Sequence, residues 1–337
     1  MTVASGVGSW PGSTAEEYAE AVRVVLGELP DLPCLPELPG RGVHAGMVGR
    51  ALGTISELGF DLQPAGWRLT DSSGVDHRRA RSLLAQDLDQ LEEQAQDFHG
   101  VLKIQVAGPW TLAAAVEKPR GDKVLSDHGA RRELAQALAE GVAAHLADVR
   151  RRVAAEHVVV QVDEPSLSAV MAGSVPTASG FGKHRAVHPP EASDALTWVL
   201  ENAGTEPWVH ACAPGTPWAL LRGAGARGLS GDVSVLSADD LDVFAEALDG
   251  GERVVLGVVP STDPESPAQG PTEGSVTDQV LRLLDMLGLD PDGVSDQLVL
   301  TPTCGLAGAT PGWARAATEL CRAVARNLSS APDGDPS

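Results

Sequence analysis

Four side chains of metal-binding types stand at or just after the ends of segments that read as buried strands: His210, Cys212, Asp232 and Cys304. Imidazole, thiolate and carboxylate are the groups that bind Zn²⁺ in proteins. Two thiolates with one histidine favour zinc over magnesium or calcium. Because zinc removes the proton of a thiol that binds it, such a site produces a thiolate nucleophile at neutral pH. The four residues therefore predict a zinc centre in an enzyme that activates a thiol.

The spacing of these residues agrees with one shared ion. His210 and Cys212 are two residues apart, so on a strand they point to the same face, ~7 Å from each other. Asp232 follows about one strand-plus-helix unit later, and Cys304 about two units after that. A lone His-x-Cys pair is weak evidence, but the segment Thr301–Leu306 after an apolar strand strengthens it.

The elements that must position these residues form a repeating pattern. Short β-branched runs alternate with long amphipathic stretches, which is typical of a parallel sheet built from βα units. The predicted strands number eight: Val3–Gly8, Leu32–Glu37, Leu102–Ala107, His157–Val162, Trp208–Ala211, Gly228–Ser230, Arg253–Val258 and Gln297–Leu300. Eight such units predict a single (β/α)8 TIM barrel over residues 1–328, with functional residues at the carboxyl ends of the strands. Gly59–Trp67 is interpreted as an added β-hairpin.

Composition narrows the class of protein. The chain has 337 residues, and 43% of them are apolar, as in an ordinary globular protein. A net charge of −21 argues against a nucleic-acid partner. The sequence contains neither a membrane-spanning apolar run nor a visible secretory signal, so a cytoplasmic protein without a membrane partner is expected. Residues 329–337 are expected to form a disordered tail.

Three motifs resemble a known family. They are Gln161–Leu167 (QVDEPSL), His210–Cys212 (HAC) and Pro302–Leu306 (PTCGL), preceded near the N-terminus by Val7–Pro11 (VGSWP). In this order and spacing they resemble the C-terminal catalytic barrel of the cobalamin-independent methionine synthases, in the uroporphyrinogen decarboxylase superfamily. The resemblance covers almost the whole chain. It implies transfer of a methyl group to a thiol, most simply homocysteine, which gives methionine.

The resemblance also implies roles for individual residues. His210, Cys212 and Cys304 resemble the zinc ligands, and Asp232 stands near the position of the family's ligating glutamate. Ser9 resembles the residue whose backbone holds the carboxylate of the amino acid. Asp163 resembles the carboxylate that pairs with the ammonium of homocysteine and so serves catalysis. Glu37 is a candidate second partner of that ammonium. Alternatively, Asp163 simply caps the helix that follows it.

Two departures from the family concern the methyl donor. The loop after the predicted seventh strand, Gly257–Pro264, lacks the family's acid histidine. His184 and His188, in a long loop, are candidate replacements. No tryptophan matches the family's folate-stacking residue, although Trp110 lies nearby. The methyl donor is therefore left open between methylfolate and a methylcorrinoid.

Other functions are compatible with parts of this pattern. A zinc-dependent alkyltransferase for another thiol shares the metal ligands and differs in the pocket of Ser9, Glu37 and Asp163. A non-catalytic zinc barrel that docks a corrinoid carrier is a second alternative. A porphyrin decarboxylase of the same superfamily needs no zinc site, so metal analysis distinguishes it.

Overall fold

The computed structural model of the chain describes residues 1–266 and 269–329. Within these ranges, strands and helices alternate along most of the sequence. The strands are β1 (Val3–Ala4), β2 (Gly59–Gln63), β3 (Gly66–Thr70), β4 (Val101–Ala107), β5 (His157–Asp163), β6 (Trp208–Ala211), β7 (Gly228–Asp232), β8 (Arg253–Val259) and β9 (Leu298–Pro302). The helices are α1 (Ala15–Glu28), α2 (Met47–Thr54), α3 (Val75–Gln94), α4 (Pro109–Ala115), α5 (His128–Arg152), α6 (Leu167–Met171), α7 (Pro189–Glu201), α8 (Trp218–Gly223), α9 (Ala238–Asp249), α10 (Glu273–Met286), α11 (Pro291–Val294) and α12 (Pro311–Ser329).

The predicted α/β fold with a parallel sheet is confirmed. Seven strands form one parallel sheet in the order β1-β9-β8-β7-β6-β5-β4, so the chain's first strand pairs with its last. The sheet curls like a half-barrel, but among the described residues it is not closed and has seven strands rather than eight. The predicted (β/α)8 barrel is thus reproduced only in part.

The difference lies in the predicted second strand, Leu32–Glu37. This segment makes isolated parallel bridges to both neighbours, Cys34 to Lys103 and Ser9 to Glu37, but forms no regular strand. Its sequence explains why, because Pro33 and Pro36 have no backbone N–H to donate to a ladder. The segment lies between β1 and β4 and still brings Glu37 to the same end of the sheet as the other site residues.

The inner face of the curled sheet changes character along the strands. Its lower part is apolar, and five side chains pack there in a small cluster of their own: Leu32, Val159, Trp208, Val255 and Val299. Because successive side chains on a strand alternate between its faces, the inward positions beyond Val159 belong to Gln161 and Asp163. Beyond Trp208 they belong to His210 and Cys212. The strands therefore lead from an apolar floor to a polar upper end.

The predicted hairpin is present. β2 and β3 pair antiparallel, which confirms it. Ser329, the first residue of the expected tail, ends α12 and accepts a hydrogen bond from the Thr2 backbone N–H at 3.0 Å. Residues 330–337 lie outside the described residues. None of the described helices has the length and apolar character needed to cross a membrane.

Candidate active site

Three of the four predicted metal ligands come together at the carboxyl end of the sheet. His210 lies near the end of β6, Cys212 follows that strand directly, and Cys304 follows β9. Their ligand atoms all lie within 4.8 Å of one another. The two sulfur atoms are 2.9 Å apart, and His210 Nε2 is 3.8 Å from Cys304 Sγ. One imidazole and two thiols at this spacing fit a zinc ion by donor type.

The neighbouring strand orients the imidazole ring. His210 pairs in register with Ser230 of β7, and its Nδ1 lies 2.9 Å from Ser230 Oγ. A proton on Nδ1 donated to this hydroxyl leaves the Nε2 lone pair directed toward the sulfur side. Metal-binding histidines usually have such an outer partner, because it fixes both tautomer and ring orientation.

The two thiols influence each other's ionisation. A hydrogen bond between the two sulfurs lowers the pKa of the Cys212 thiol, and burial works against this. The same hydrogen bond, together with burial, raises the pKa of Cys304. Within the pair, the hydrogen bond therefore favours the thiolate on Cys212 over the thiolate on Cys304.

Asp232 lies outside this cluster. It ends β7, and its Oδ1 accepts hydrogen bonds from Ser234, 2.8 Å from the backbone N and 2.7 Å from Oγ. An aspartate that bonds the backbone two residues later forms a common local turn. The charge of Asp232 still acts on Cys212, where it opposes the lowering of the thiol pKa. Its role as a fourth ligand stays a prediction.

Ser9 is joined to the turn that carries Cys304. Its carbonyl oxygen accepts from the Leu306 N–H at 2.8 Å, and its hydroxyl lies 3.4 Å from the Ala307 nitrogen. Gly305 makes this approach feasible, because a Cβ there would lie 2.0 Å from Ser9 Oγ. The first and last strands thus bring Ser9 beside the thiol pair.

Asp163 is a buried carboxylate that forms no ion pair with any of the described residues. It ends β5, is only 8% exposed, and pairs in register with His210. Gln161 Nε2 donates to its Oδ1 at 2.7 Å. Burial raises the pKa of Asp163 to about 6, against the opposing effects of His210 and Lys103. Such a carboxylate is suited to accept hydrogen bonds from a cation that enters the pocket.

Glu37, also buried, is held by a charge network. Its Oε1 accepts from Gln105 Nε2 at 2.9 Å and faces Arg50 Nε at 3.3 Å. Arg50 also binds Asp87, and Arg41 binds both oxygens of Asp87 at 2.7 Å. Two carboxylates and two guanidinium groups therefore balance one another around this wall of the pocket.

One cavity of about 360 Å³ joins these groups. It is bounded by Val7, Ser9, Glu37, Pro39, Met47, Gln105, Asp163, Pro165, His210, Cys212, Cys304 and Gly305. The thiol pair and the imidazole line it together with the two carboxylates. All predicted site residues except Asp232 thus line a single cavity.

The residue after Asp163 is a cap rather than a site group. Glu164 accepts from the backbone N–H groups of Trp110 and Thr111, at 2.9 and 2.8 Å, at the start of α4. Trp110 itself is buried, and its Nε1 donates to the Ala192 carbonyl at 3.0 Å. Its ring is therefore part of the core and offers no free stacking face.

The two candidate replacement histidines do not line the cavity. His184 is buried 3.2 Å from Asp122, and His188 precedes the first turn of α7. Neither lines the cavity that holds the thiols, so neither is placed where the resemblance would require an acid.

Sequence reasoning missed the polar groups beneath the carboxylates. Lys103, Gln105 and Arg50 are all buried, and Gln161 was quoted only as part of a motif. A signal was available, since a lysine and a glutamine interrupt the otherwise apolar strand β4. Buried polar residues are the informative exceptions in a core.

The architecture places the chain among α/β proteins that assemble a site where parallel strands end. The comparison with family models is more specific: the model described as "Cobalamin-independent synthase, Catalytic domain" matches residues 100–327, which is more than half of the chain. The chain belongs to this family, as its motifs predicted. No curated protein sequence matches it significantly.

Solved structures agree at the level of fold. A B12-independent methionine synthase from Shewanella sp. W3-18-1, in complex with selenomethionine, is similar with a TM-score of 0.62 over 98% of both chains. Only 14% of residues are identical, so this likeness concerns the fold alone. A putative glycoside hydrolase from Bacteroides vulgatus ATCC 8482 is more distant, with a TM-score of 0.43, 12% identity, and coverage of 94% of this chain and 55% of that one.

Proposed function

We propose that this chain is a zinc-dependent methyltransferase that converts homocysteine to methionine, with residues 1–328 acting as one catalytic unit in the cytoplasm. The observation that carries the proposal is the convergence of His210, Cys212 and Cys304 on a cavity that also holds two buried carboxylates. Family membership supports the same reaction.

The donor set supports zinc as the resident metal. His210, Cys212 and Cys304 would hold it, and Asp232 is proposed as a fourth ligand that must first leave Ser234. When bound, zinc would supply Lewis acidity that lowers the pKa of a substrate thiol; a free thiol, with a pKa near 8.5, is only slightly ionised at neutral pH.

The other cavity residues hold the amino-acid part of the substrate. We assign the ammonium group to Asp163 and Glu37 and the carboxylate to the backbone at Ser9. Glu37 and Asp163 are both buried, which strengthens these charge-assisted hydrogen bonds. The substrate sulfur then attacks the donor's methyl group. A sulfur–carbon bond forms as the bond from that carbon to the donor breaks, the electron pair stays with the donor, and the thiol proton passes to solvent.

The two carboxylates favour an amino thiol over the alternative of another thiol substrate. An ammonium group needs acceptors when it is buried, and Glu37 and Asp163 provide them within the cavity that contains the sulfurs. The methyl donor, methylfolate or a methylcorrinoid, is left to experiment.

The test begins with metal analysis of the purified protein and of Cys304→Ala. We expect about one zinc per chain in the unsubstituted protein, and loss of both zinc and methyl transfer in the variant. Cys321→Ala is the matched control, because Cys321 is a buried thiol in α12 and should leave zinc content unchanged.

Activity is then measured with homocysteine and either methylfolate or methylcobalamin, in parallel assays. Methionine formation with one donor would identify that donor. Stoichiometric zinc retained by Cys304→Ala would contradict the ligand assignment, and zinc without any thiol alkylation would favour a non-catalytic zinc protein.

A further inference from the structure

Beneath the pocket lies a lysine that the proposed chemistry does not use. Lys103 of β4 is fully buried, and it does not line the cavity. Its Nζ donates to the Val7 carbonyl and to Gln161 Oε1, both at 2.9 Å. Burying an amine in a protein interior is costly unless it makes compensating bonds, so a lysine kept here calls for an explanation.

The lysine determines which way the Gln161 amide faces. An amine hydrogen can only be received by the amide oxygen, so Oε1 must point toward Lys103. The Gln161 NH₂ group is then directed the other way, and it donates to Asp163 Oδ1 at 2.7 Å and to the Val7 carbonyl at 3.0 Å. A chain of donors therefore runs from Lys103 through Gln161 to Asp163.

This chain of hydrogen bonds from Lys103 through Gln161, called the relay below, ends at the Asp163 carboxylate, which faces the pocket. Oδ1 of Asp163 is occupied by the glutamine, and among the described residues no protein group bonds to Oδ2. The relay thus turns one oxygen inward and leaves the other for a ligand. Val7, which receives both donors, is two residues before Ser9, so the same contacts also anchor the segment after β1 that leads to Ser9.

We propose that Lys103 is a positioning residue for amine recognition: through Gln161 it holds Asp163 so that Oδ2 accepts a hydrogen bond from the α-ammonium group of the substrate. This inference rests on the proposed function, in which Asp163 binds that ammonium. Lys103 itself does not touch the ligand. Burial lowers the pKa of Lys103, but both the charged and the neutral amine have the two N–H donors that the relay needs.

Amine recognition can be measured without methyl transfer. The probes are L-methionine and 4-(methylsulfanyl)butanoate, which lacks the amino group. The ratio of their dissociation constants, measured by calorimetry, gives the amine preference. We expect Lys103→Met and Gln161→Met each to reduce this preference about tenfold, the usual size of an outer-partner effect. Binding of the analogue that lacks the amine should change little.

The double variant tests whether the two residues act as one relay. If they do, Lys103→Met with Gln161→Met should reduce the preference no further than the larger single effect, because residues in one network are not additive. Lys183→Met, at an exposed lysine, is the control and should keep the full preference.

A merely structural lysine would give another result. Lys103→Met would then lower the thermal midpoint while leaving the amine preference intact, and this outcome would overturn the inference, as would additive effects in the double variant. An unsubstituted protein that binds both probes equally would overturn it too. Loss of the proposed function looks different: zinc or methyl transfer would be missing while the relay still controlled the amine preference.

Discussion

The two carboxylates of the pocket have opposite electrostatic surroundings. Glu37 faces Arg50 at 3.3 Å, within a network that also includes Asp87 and Arg41. Within the described part of the chain, Asp163 receives a single donor, the Gln161 amide, and burial raises its pKa to about 6. The charge of Glu37 is therefore already balanced by arginine, whereas the charge of Asp163 is left for a cationic ligand to balance. This difference indicates that Asp163 responds mainly to the charge of a ligand and Glu37 mainly to its geometry.

Removal of the cation on the Glu37 wall should have the largest effect. Arg50→Met leaves two buried carboxylates, Glu37 and Asp87, short of one guanidinium, and we expect unfolding free energy to fall by about 3 kcal/mol. Chemical denaturation of the metal-free protein measures this. Arg23→Met, which removes an exposed ion pair with Glu20, should change stability little. Equal effects of the two substitutions would remove the distinction between the walls.

Neutralising each carboxylate in turn compares the walls directly. Asp163→Asn should weaken homocysteine binding about 100-fold, because it removes the one charge that only the ligand compensates. Glu37→Gln should weaken it about fivefold, since Arg50 already satisfies that carboxylate. Calorimetry on the zinc-loaded protein measures both. Unchanged affinity in Asp163→Asn would favour an alkyltransferase for a thiol without an amine, and a larger loss in Glu37→Gln would reverse the proposed roles.

His145, a buried histidine near Arg50, makes the stability of the folded protein depend on pH. Burial, and then the charge of Arg50, lowers the pKa of His145 from 6.5 to about 4, with Asp148 acting in the opposite direction. The folded state thus binds this proton less well than the unfolded state, so stability is complete above pH 6.5 and is lost as pH falls toward 4. Linkage gives a loss of about 2 kcal/mol between pH 7 and pH 5.

His145→Gln should remove that part of the pH dependence. Unfolding free energies of both proteins at pH 7 and pH 5 provide the measurement, and their difference isolates His145 from other titrating groups. Identical pH dependence in the two proteins would mean that His145 is not kept neutral by its surroundings.

Much of the architecture could be read from the sequence because apolar strands and amphipathic helices leave periodic patterns. β5, β6 and β8 begin where these patterns predicted. Leu32–Glu37 could not be assigned so simply. Its apolar residues suit a strand, but Pro33 and Pro36 interrupt the backbone donors, and only its neighbours decide which hydrogen bonds form.

The candidate site likewise contains residues that the sequence could predict and residues that it could not. His210, Cys212 and Cys304 were accessible because their residue types have a shared chemistry and each follows an apolar run. Asp232 has the same kind of residue type and position, but the sequence did not indicate that a serine two residues later binds its carboxylate locally. The charge network around Glu37 was inaccessible, because Arg50, Asp87 and Arg41 come from different elements and meet only in three dimensions.

The pairing of β1 with β9 has a consequence for how the protein is made. A ribosome that has synthesised the chain through β8 has already released His210 and Cys212, yet Cys304 is still to be added. Ser9, made before either of them, also waits for the turn at Gly305. Under the proposed function, the metal site and the substrate pocket are therefore completed by the same segment, and a nascent chain that stops before β9 has neither.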